Sequence, residues 1–223
     1  MHIEPELVSP EKMLLAYGTA AAAGAMTVKF AADAVGERGA ASLAARTVLA
    51  SAAVFTFFEI FPHFPVGISE VHFILGSTLL LVFGAAPAAI GLAIGLLLQG
   101  LFFAPFDLPQ YFANVTTLVA PLVAIKFLAD RIIAPNTPYV DLRYGQALAL
   151  STTYQGGVVV WVGFWALYGQ GFGAENLTSI VTFGGAYMLV VLLEPLVDLA
   201  VLAGAKLARG LAKTGLVTPR LYA

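Results

Sequence analysis

The feature that most constrains this chain is a series of long apolar segments. We identify seven, at about 13–32, 44–62, 72–84, 86–104, 112–133, 145–168 and 178–205. A helix that crosses a bilayer needs about 20 predominantly apolar residues, and all of these segments except the third are long enough. The runs are continuous and do not alternate, which argues against a strand barrel. The sequence therefore predicts an all-α fold, a polytopic membrane helix bundle of about seven transmembrane helices, in a single integral membrane domain over residues 1–223.

Composition supports this class and excludes several functions. Hydrophobic residues make up 60% of the chain and charged residues 11%, whereas soluble domains carry about 25% charged residues. A formal net charge of −2 gives no indication of a nucleic-acid partner. The absence of cysteine excludes disulfides, iron–sulfur clusters and thiolate metal sites. Any metal ligands must therefore be nitrogen or oxygen atoms.

The third segment, HFILGSTLLLVFG, is short unless it includes the polar stretch VGISEV that precedes it. A short apolar segment that follows a polar loop predicts non-helical backbone that enters the protein interior. Such backbone is tolerated at membrane depth only where protein or a cavity shields it from lipid.

The basic residues predict the orientation of the bundle in the membrane. They group around the first connection, around the fifth connection and after the last segment, and only Lys12 precedes the first segment. Because cytoplasmic loops are enriched in Lys and Arg, this pattern predicts an external N-terminus and a cytoplasmic C-terminus. Seven crossings place the termini on opposite sides, as the charges require.

Few ionisable residues fall inside the predicted spans, where they are costly and often functional. Glu194 and Asp198 are one helical turn apart and share a face. A structural pair that caps a neighbouring helix or meets Lys206 is favoured over a proton relay. Glu59 is expected to reach the interface or pair locally, and His63, in FPHFP, is interpreted as an interfacial loop residue.

The beginning of the chain, MHIEPE, carries an unusual set of nitrogen donors. The Met1 amine and the amide and imidazole of His2 lie close along the chain and can form fused chelate rings around one metal ion. Met1 is expected to be retained, because histidine is too large to permit efficient methionine removal. His72 could supply a fourth nitrogen, although a lone histidine is more often a hydrogen-bonded core group. Four nitrogens in a plane suit Ni(II), Cu(II) and low-spin Co(II).

These residues resemble a known family. The MHI start, the stretch GISEVHFILG around His72 and the run AAPAAIGLAIGLLLQGLFFAPFDLPQYFANVTTLVAPL are similar to the CbiM/NikM family, the substrate-capture membrane subunits of cobalt and nickel energy-coupling-factor transporters. Length, span count and predicted topology agree with that family. The resemblance covers most of residues 1–125.

The resemblance implies a site and a function. The N-terminal segment, residues 1–12, would fold back into the bundle, and Met1, His2 and His72 would hold Co(II) or Ni(II), the transported substrate, in a square plane. Asn114, with Ser69 and Glu70, would surround and orient these ligands. Such proteins are not enzymes and have no organic cofactor. They pass the ion to a transmembrane coupling protein and ATPase subunits, with or without a small accessory membrane subunit, in the inner (plasma) membrane of a prokaryote.

The sequence also departs from the family pattern. Gly67 lies five residues before His72 and Glu70 intervenes, where the family places small hydroxyl residues, and Phe73 and Ile74 follow the histidine. The last span has Glu194–Pro195 and lacks the histidine of the family pattern. If this segment contacts the coupling protein, the difference predicts a different coupling partner.

The sequence is compatible with three classes of function to different degrees. Cobalt or nickel capture is favoured over a related scaffold or auxiliary subunit that no longer transports metal. A catalytic membrane protein is disfavoured, because no nucleophile, base and cofactor set converges in the sequence. Four nitrogen ligands suit both cobalt and nickel and do not choose between them.

Overall fold

The computed structural model describes residues 9–223, and it is built almost entirely of helices. In chain order these are α1 (Met13–Glu59), α2 (Gly76–Phe83), α3 (Ala85–Phe102), α4 (Tyr111–Ile132), α5 (Tyr144–Gln170), α6 (Ala174–Met188) and α7 (Glu194–Leu207). Two short antiparallel strands, β1 (Phe64–Val66) and β2 (Ser69–Val71), lie between α1 and α2. The prediction of an all-α fold is therefore confirmed, except for a small hairpin that the sequence analysis did not anticipate.

The first two predicted spans lie on α1, which reverses direction at Gly39. This residue has φ 79° and ψ 166°, outside the helical region. The ring of Tyr17 packs on Phe112 at 5.3 Å and that of Phe55 on Phe103 at 5.5 Å. A straight helix would separate Tyr17 and Phe55 by about 57 Å at its rise of 1.5 Å per residue. Because both rings contact residues that flank the connection between α3 and α4, the two halves of α1 form a helical hairpin.

The bundle has two distinct ends. The hairpin end carries β1, β2 and the connection between α3 and α4. The tail end carries the turn at Gly39 and the C-terminal tail, residues 209–223. There, Ser42 Oγ donates to the carbonyl of Gly215 and Arg38 Nη1 to that of Thr214, both at 2.6 Å. These bonds hold the tail against the turn of α1.

Small residues allow α3 to approach α1 closely. A Cβ atom on Gly91 would lie 2.7 Å from the Cβ of Ala50, and one on Gly95 would lie 2.4 Å from Cγ1 of Val54. Each of these glycines thus occupies a position where a larger residue would force the helices apart, as is common in membrane bundles.

The third predicted span is only partly helical. The eight residues of α2 extend about 12 Å at 1.5 Å per residue, too short to cross a bilayer. Residues 72–75 before it have no regular structure, His72, Ile74 and Leu75 are buried, and Leu75 has a left-handed backbone (φ 56°). The prediction of non-helical backbone inside the protein is confirmed.

Among the described residues, five helical stretches are long and apolar enough to cross a membrane. These are Pro10–Glu59, Ala85–Phe102, Pro105–Ile132, Tyr144–Gln170 and Ala174–Leu207. The chain is thus a multi-pass membrane protein.

Candidate metal-capture site

The β-hairpin delivers His72 to the bundle interior. Its register pairs Val66 with Ser69, which leaves Gly67 and Ile68 as a two-residue turn. Gly67 has φ 61°, as required at the first central position of a type II′ turn, which suits the twist of the strands. A Cβ on Gly67 would also lie 2.4 Å from the carbonyl oxygen of Ser179 on α6. The spacing of five residues between Gly67 and His72 therefore reflects a turn followed by a strand.

His72 is fully buried directly after β2. Its Nε2 lies 2.9 Å from Oε2 of Glu70. Because an ionised carboxylate can only accept, Nε2 donates this hydrogen bond, and in the neutral imidazole the lone pair is then on Nδ1. Metal-binding histidines are commonly oriented in this way, with a carboxylate on the nitrogen that does not bind the metal. The structure thus places Glu70, one of the predicted surrounding residues, against the predicted ligand.

His63 contacts His72 directly, which the interpretation of His63 as an interfacial loop residue did not predict. The side chain is exposed, as expected for a loop residue, but its ring stacks on that of His72 with 5.0 Å between centroids and 12° between planes. The hairpin register explains the contact, because Phe64 pairs with Val71 and the next position outward sets His63 beside His72. Phe58 packs edge-on against the same imidazole, at 5.4 Å.

The other predicted site residues lie at the same end of the bundle. Ser69 is buried on β2, next to Glu70 in sequence. Asn114 is buried in the first turn of α4, where it lines a cavity of about 10 Å³ together with Asp107 and Tyr111. Met1 and His2 lie outside the described residues. Within residues 9–223, no group of three or more His, Cys, Asp or Glu side chains is placed to hold a metal ion.

Glu194 and Asp198 form a second polar cluster, deep in the bundle. Both carboxylates are fully buried. Glu194 Oε2 accepts hydrogen bonds from Ser151 Oγ at 2.5 Å and from Gln155 Nε2 at 2.7 Å, both on α5. The pair thus joins α7 to its neighbours from within the membrane-spanning region.

The same pair also reaches α2. Asp198 accepts from Ser77 Oγ at 2.7 Å and from the hydroxyl of Thr78, both in the first turn of that helix. The pair binds side-chain hydroxyls of α2 and not its free backbone amides, so the expectation that it caps a neighbouring helix is wrong for α2. The expectation that Lys206 meets the pair is wrong, because Lys206 Nζ binds Oδ1 of Asp141 at 2.5 Å at the tail end.

The contacts of His72 with Glu70 and with His63 could both have been predicted from the sequence. Glu70 and His72 are two residues apart, and alternate residues of an extended segment share a face. The stretch FPVGISEV has a glycine between two short β-compatible runs, which is a hairpin pattern. A β-hairpin predicted for this stretch places both Glu70 and His63 beside His72.

Comparison with known families assigns the chain. Residues 2–209 match the family model described as CbiM, cobalt uptake substrate-specific transmembrane region. No curated protein and no solved structure matches the chain significantly. The match covers nearly the whole chain, including His72, Asn114 and the Glu194–Asp198 pair. The chain therefore belongs to the CbiM family, a non-enzymatic, substrate-specific transmembrane component of cobalt uptake.

Proposed function

We propose that this protein captures Co(II) or Ni(II) for an importer of the energy-coupling-factor type. It would hand the ion to a transmembrane coupling protein and ATPase subunits, with or without a small accessory membrane subunit. The family match over residues 2–209 supports this role. The single structural observation that carries it is the buried His72, whose Nε2 donates to Glu70, so that in the neutral imidazole Nδ1 is the nitrogen with the lone pair that metal binding requires.

The proposed site is a square plane of four nitrogens. Residues 1–12 fold back toward the hairpin end, and the Met1 amine, the His2 amide and imidazole and the His72 imidazole bind the ion. Nitrogen ligands in a plane suit Ni(II) and low-spin Co(II). Ser69, Glu70 and Asn114 orient these ligands, as outer partners do in most metal sites.

We infer that the hairpin end faces outward and the tail end faces the cytoplasm of a prokaryote. Seven crossings would come from the two halves of α1, residues 72–83, α3, α4, α5, and α6 with α7. Five basic side chains form hydrogen bonds or ion pairs at the tail end of the bundle. They are Arg38, Arg46, Lys126, Lys206 and Arg220. An excess of Lys and Arg marks the cytoplasmic side.

Metal content tests this function. We expect about one nickel or cobalt ion per chain in purified protein with a free Met1, because each ion occupies one four-nitrogen site. His2→Ala and His72→Ala should each lose the metal. Elemental analysis after loading and desalting provides the measurement.

The matched control is Asp33→Asn, which removes a possible metal ligand from the separate cavity at the tail end. It should retain metal. Parent-like metal content in both His2→Ala and His72→Ala would exclude the four-nitrogen site.

A further inference from the structure

A cavity of about 170 Å³ opens at the hairpin end beside His72. Its polar walls come from five side chains, Glu59, His63, Glu70, Gln99 and Asp107, and no lysine or arginine is among its described lining residues. We refer to this cavity as the antechamber. It has room for several water molecules, since one water needs only about 10–15 Å³ of such space.

Within residues 9–223, only single side chains, those of Glu70 and His63, lie between the antechamber and His72. Glu70 lines it and also holds Nε2 of His72 at 2.9 Å. His63 lines it and stacks on the His72 ring. An ion in this cavity is therefore one side chain away from the buried imidazole.

Gln99 brings a buried hydrogen-bond acceptor to the wall of the antechamber. This residue of α3 is only 3% exposed, and its Oε1 has no hydrogen-bond partner among the described residues. A buried carbonyl oxygen without a hydrogen-bond donor destabilises the fold. Water molecules bound to a cation would supply the missing donor.

Glu59 supplies a carboxylate that the fold does not use. It ends α1 in a half-buried position and forms no ion pair with any residue from 9 to 223. Of the two alternatives expected for Glu59, local ion pairing is not found among the described residues, and reaching the interface stays a prediction. Its charge contributes to a negative wall, which raises the local concentration of cations.

No described group of three acidic or histidine side chains is placed to form an inner coordination shell for a bare metal ion. A cation that keeps its water molecules needs no such shell. We propose that the antechamber binds the hydrated divalent cation through its water shell before the ion reaches His72, and so accelerates capture. This proposal rests on the capture function above and adds a separate, earlier binding step.

Association kinetics test the proposal. Ni²⁺ is added to protein in neutral-lipid nanodiscs, and binding is followed by stopped-flow absorbance, normalised to the metal bound at the end point. Loss of the Glu59 carboxylate should slow association in Glu59→Gln at least threefold at low ionic strength, because the attraction is electrostatic. The difference should nearly vanish in 0.5 M salt, where the Debye length is only about 4 Å.

The matched control is Asp33→Asn, which removes one carboxylate from the separate tail-end cavity. It should associate at the parent rate. An equal rate for Glu59→Gln and parent at low salt, or equal slowing in Asp33→Asn, would overturn the proposal.

A second measurement isolates the antechamber from the capture site. Hexaamminecobalt(III) does not exchange its ammonia ligands, so it mimics a hydrated cation and cannot enter a four-nitrogen site. By equilibrium dialysis, parent, Asp33→Asn and His2→Ala should bind it equally, and Glu59→Gln at least threefold more weakly. Equal binding by Glu59→Gln and parent would reject the antechamber even if metal capture is intact, whereas loss of Ni²⁺ capture alone would reject only the four-nitrogen site.

Discussion

At the scale of single residues, the position of Glu70 decides how His72 can act. The two residues alternate along extended backbone, so both side chains lie on one face and the carboxylate reaches Nε2. A carboxylate is a stronger acceptor than a hydroxyl group and makes the imidazole more basic. The departure from the small hydroxyl residues of the family pattern therefore provides the histidine with a charged partner.

Replacing Glu70 should weaken metal binding. Glu70→Ala removes the acceptor that fixes the His72 ring, and the loss of such a partner typically costs 10–100-fold in metal affinity. Glu70→Gln keeps a carbonyl acceptor and should lose less. Titration with Ni²⁺ or Co²⁺ provides the dissociation constants.

Glu175→Ala is the control for that series, because it removes an exposed carboxylate from the start of α6 at the same end of the bundle. We expect parent-like affinity there. Parent-like affinity in Glu70→Ala as well would mean that the carboxylate has no part in holding the ligand.

At the scale of elements, α2 connects the two polar centres of the protein. His72 precedes it by four residues, and Ser77 and Thr78 in its first turn bind Asp198 of α7. Its other end receives Arg46 Nη1 on the carbonyl of Phe83, at 2.9 Å. A helix too short to cross the membrane is thus held by side chains from α1 and α7.

Removing the Asp198 carboxylate should destabilise the bundle. Asp198→Ala leaves the buried hydroxyl of Thr78 without its acceptor and leaves Ser77 only its longer bond to Glu194 Oε1, at 3.3 Å. A hydrogen bond to a charged group contributes about 1.5–3 kcal/mol. We expect the free energy of unfolding to fall by about 2–4 kcal/mol, measured by denaturation in detergent.

Asp141→Ala provides the comparison for this change. It removes a carboxylate that pairs with Lys206 where both side chains are 47% exposed. Exposed pairs contribute about 0–1 kcal/mol, so the loss should be small. Equal losses in the two variants would show that the buried contacts of Asp198 do not hold α7 in place.

The sequence predicted the elements better than their details. Continuous apolar runs identify helices, because a segment in lipid must be apolar and must satisfy its own backbone hydrogen bonds. The polar VGISEV stretch correctly predicted backbone that enters the interior. The contacts of Glu194 with Ser151, and of Asp198 with Ser77, join residues far apart in the chain, so spacing gives no signal for them. The antechamber likewise depends on how α1, α3 and the hairpin meet, which no local pattern encodes.

At the scale of the whole molecule, the two ends of the bundle carry different kinds of polar side chains. The hairpin end holds both described histidines and the three carboxylates of the antechamber, Glu59, Glu70 and Asp107. Arginine and lysine side chains bind the C-terminal tail and the connection between α4 and α5 at the other end. Other carboxylates, such as Asp33 and Asp141, lie among the basic side chains of the tail end. Under the proposed function, the cation would arrive at the hairpin end and the protein partners would act at the tail end.

Labelling of introduced cysteines should reveal the orientation and the number of crossings. The natural sequence has no cysteine, so each variant carries one reactive thiol. A membrane-impermeant maleimide added to intact cells should label Phe64→Cys and Phe172→Cys at the hairpin end. Ala40→Cys, at the turn of α1, and Asn136→Cys, between α4 and α5, should react only after permeabilisation, because both lie at the tail end. All four positions are exposed in the structure, so burial does not explain protection. Labelling of Ala40→Cys in intact cells would contradict the two crossings assigned to α1, and the reverse pattern at all four positions would mean that the bundle is inserted the other way round.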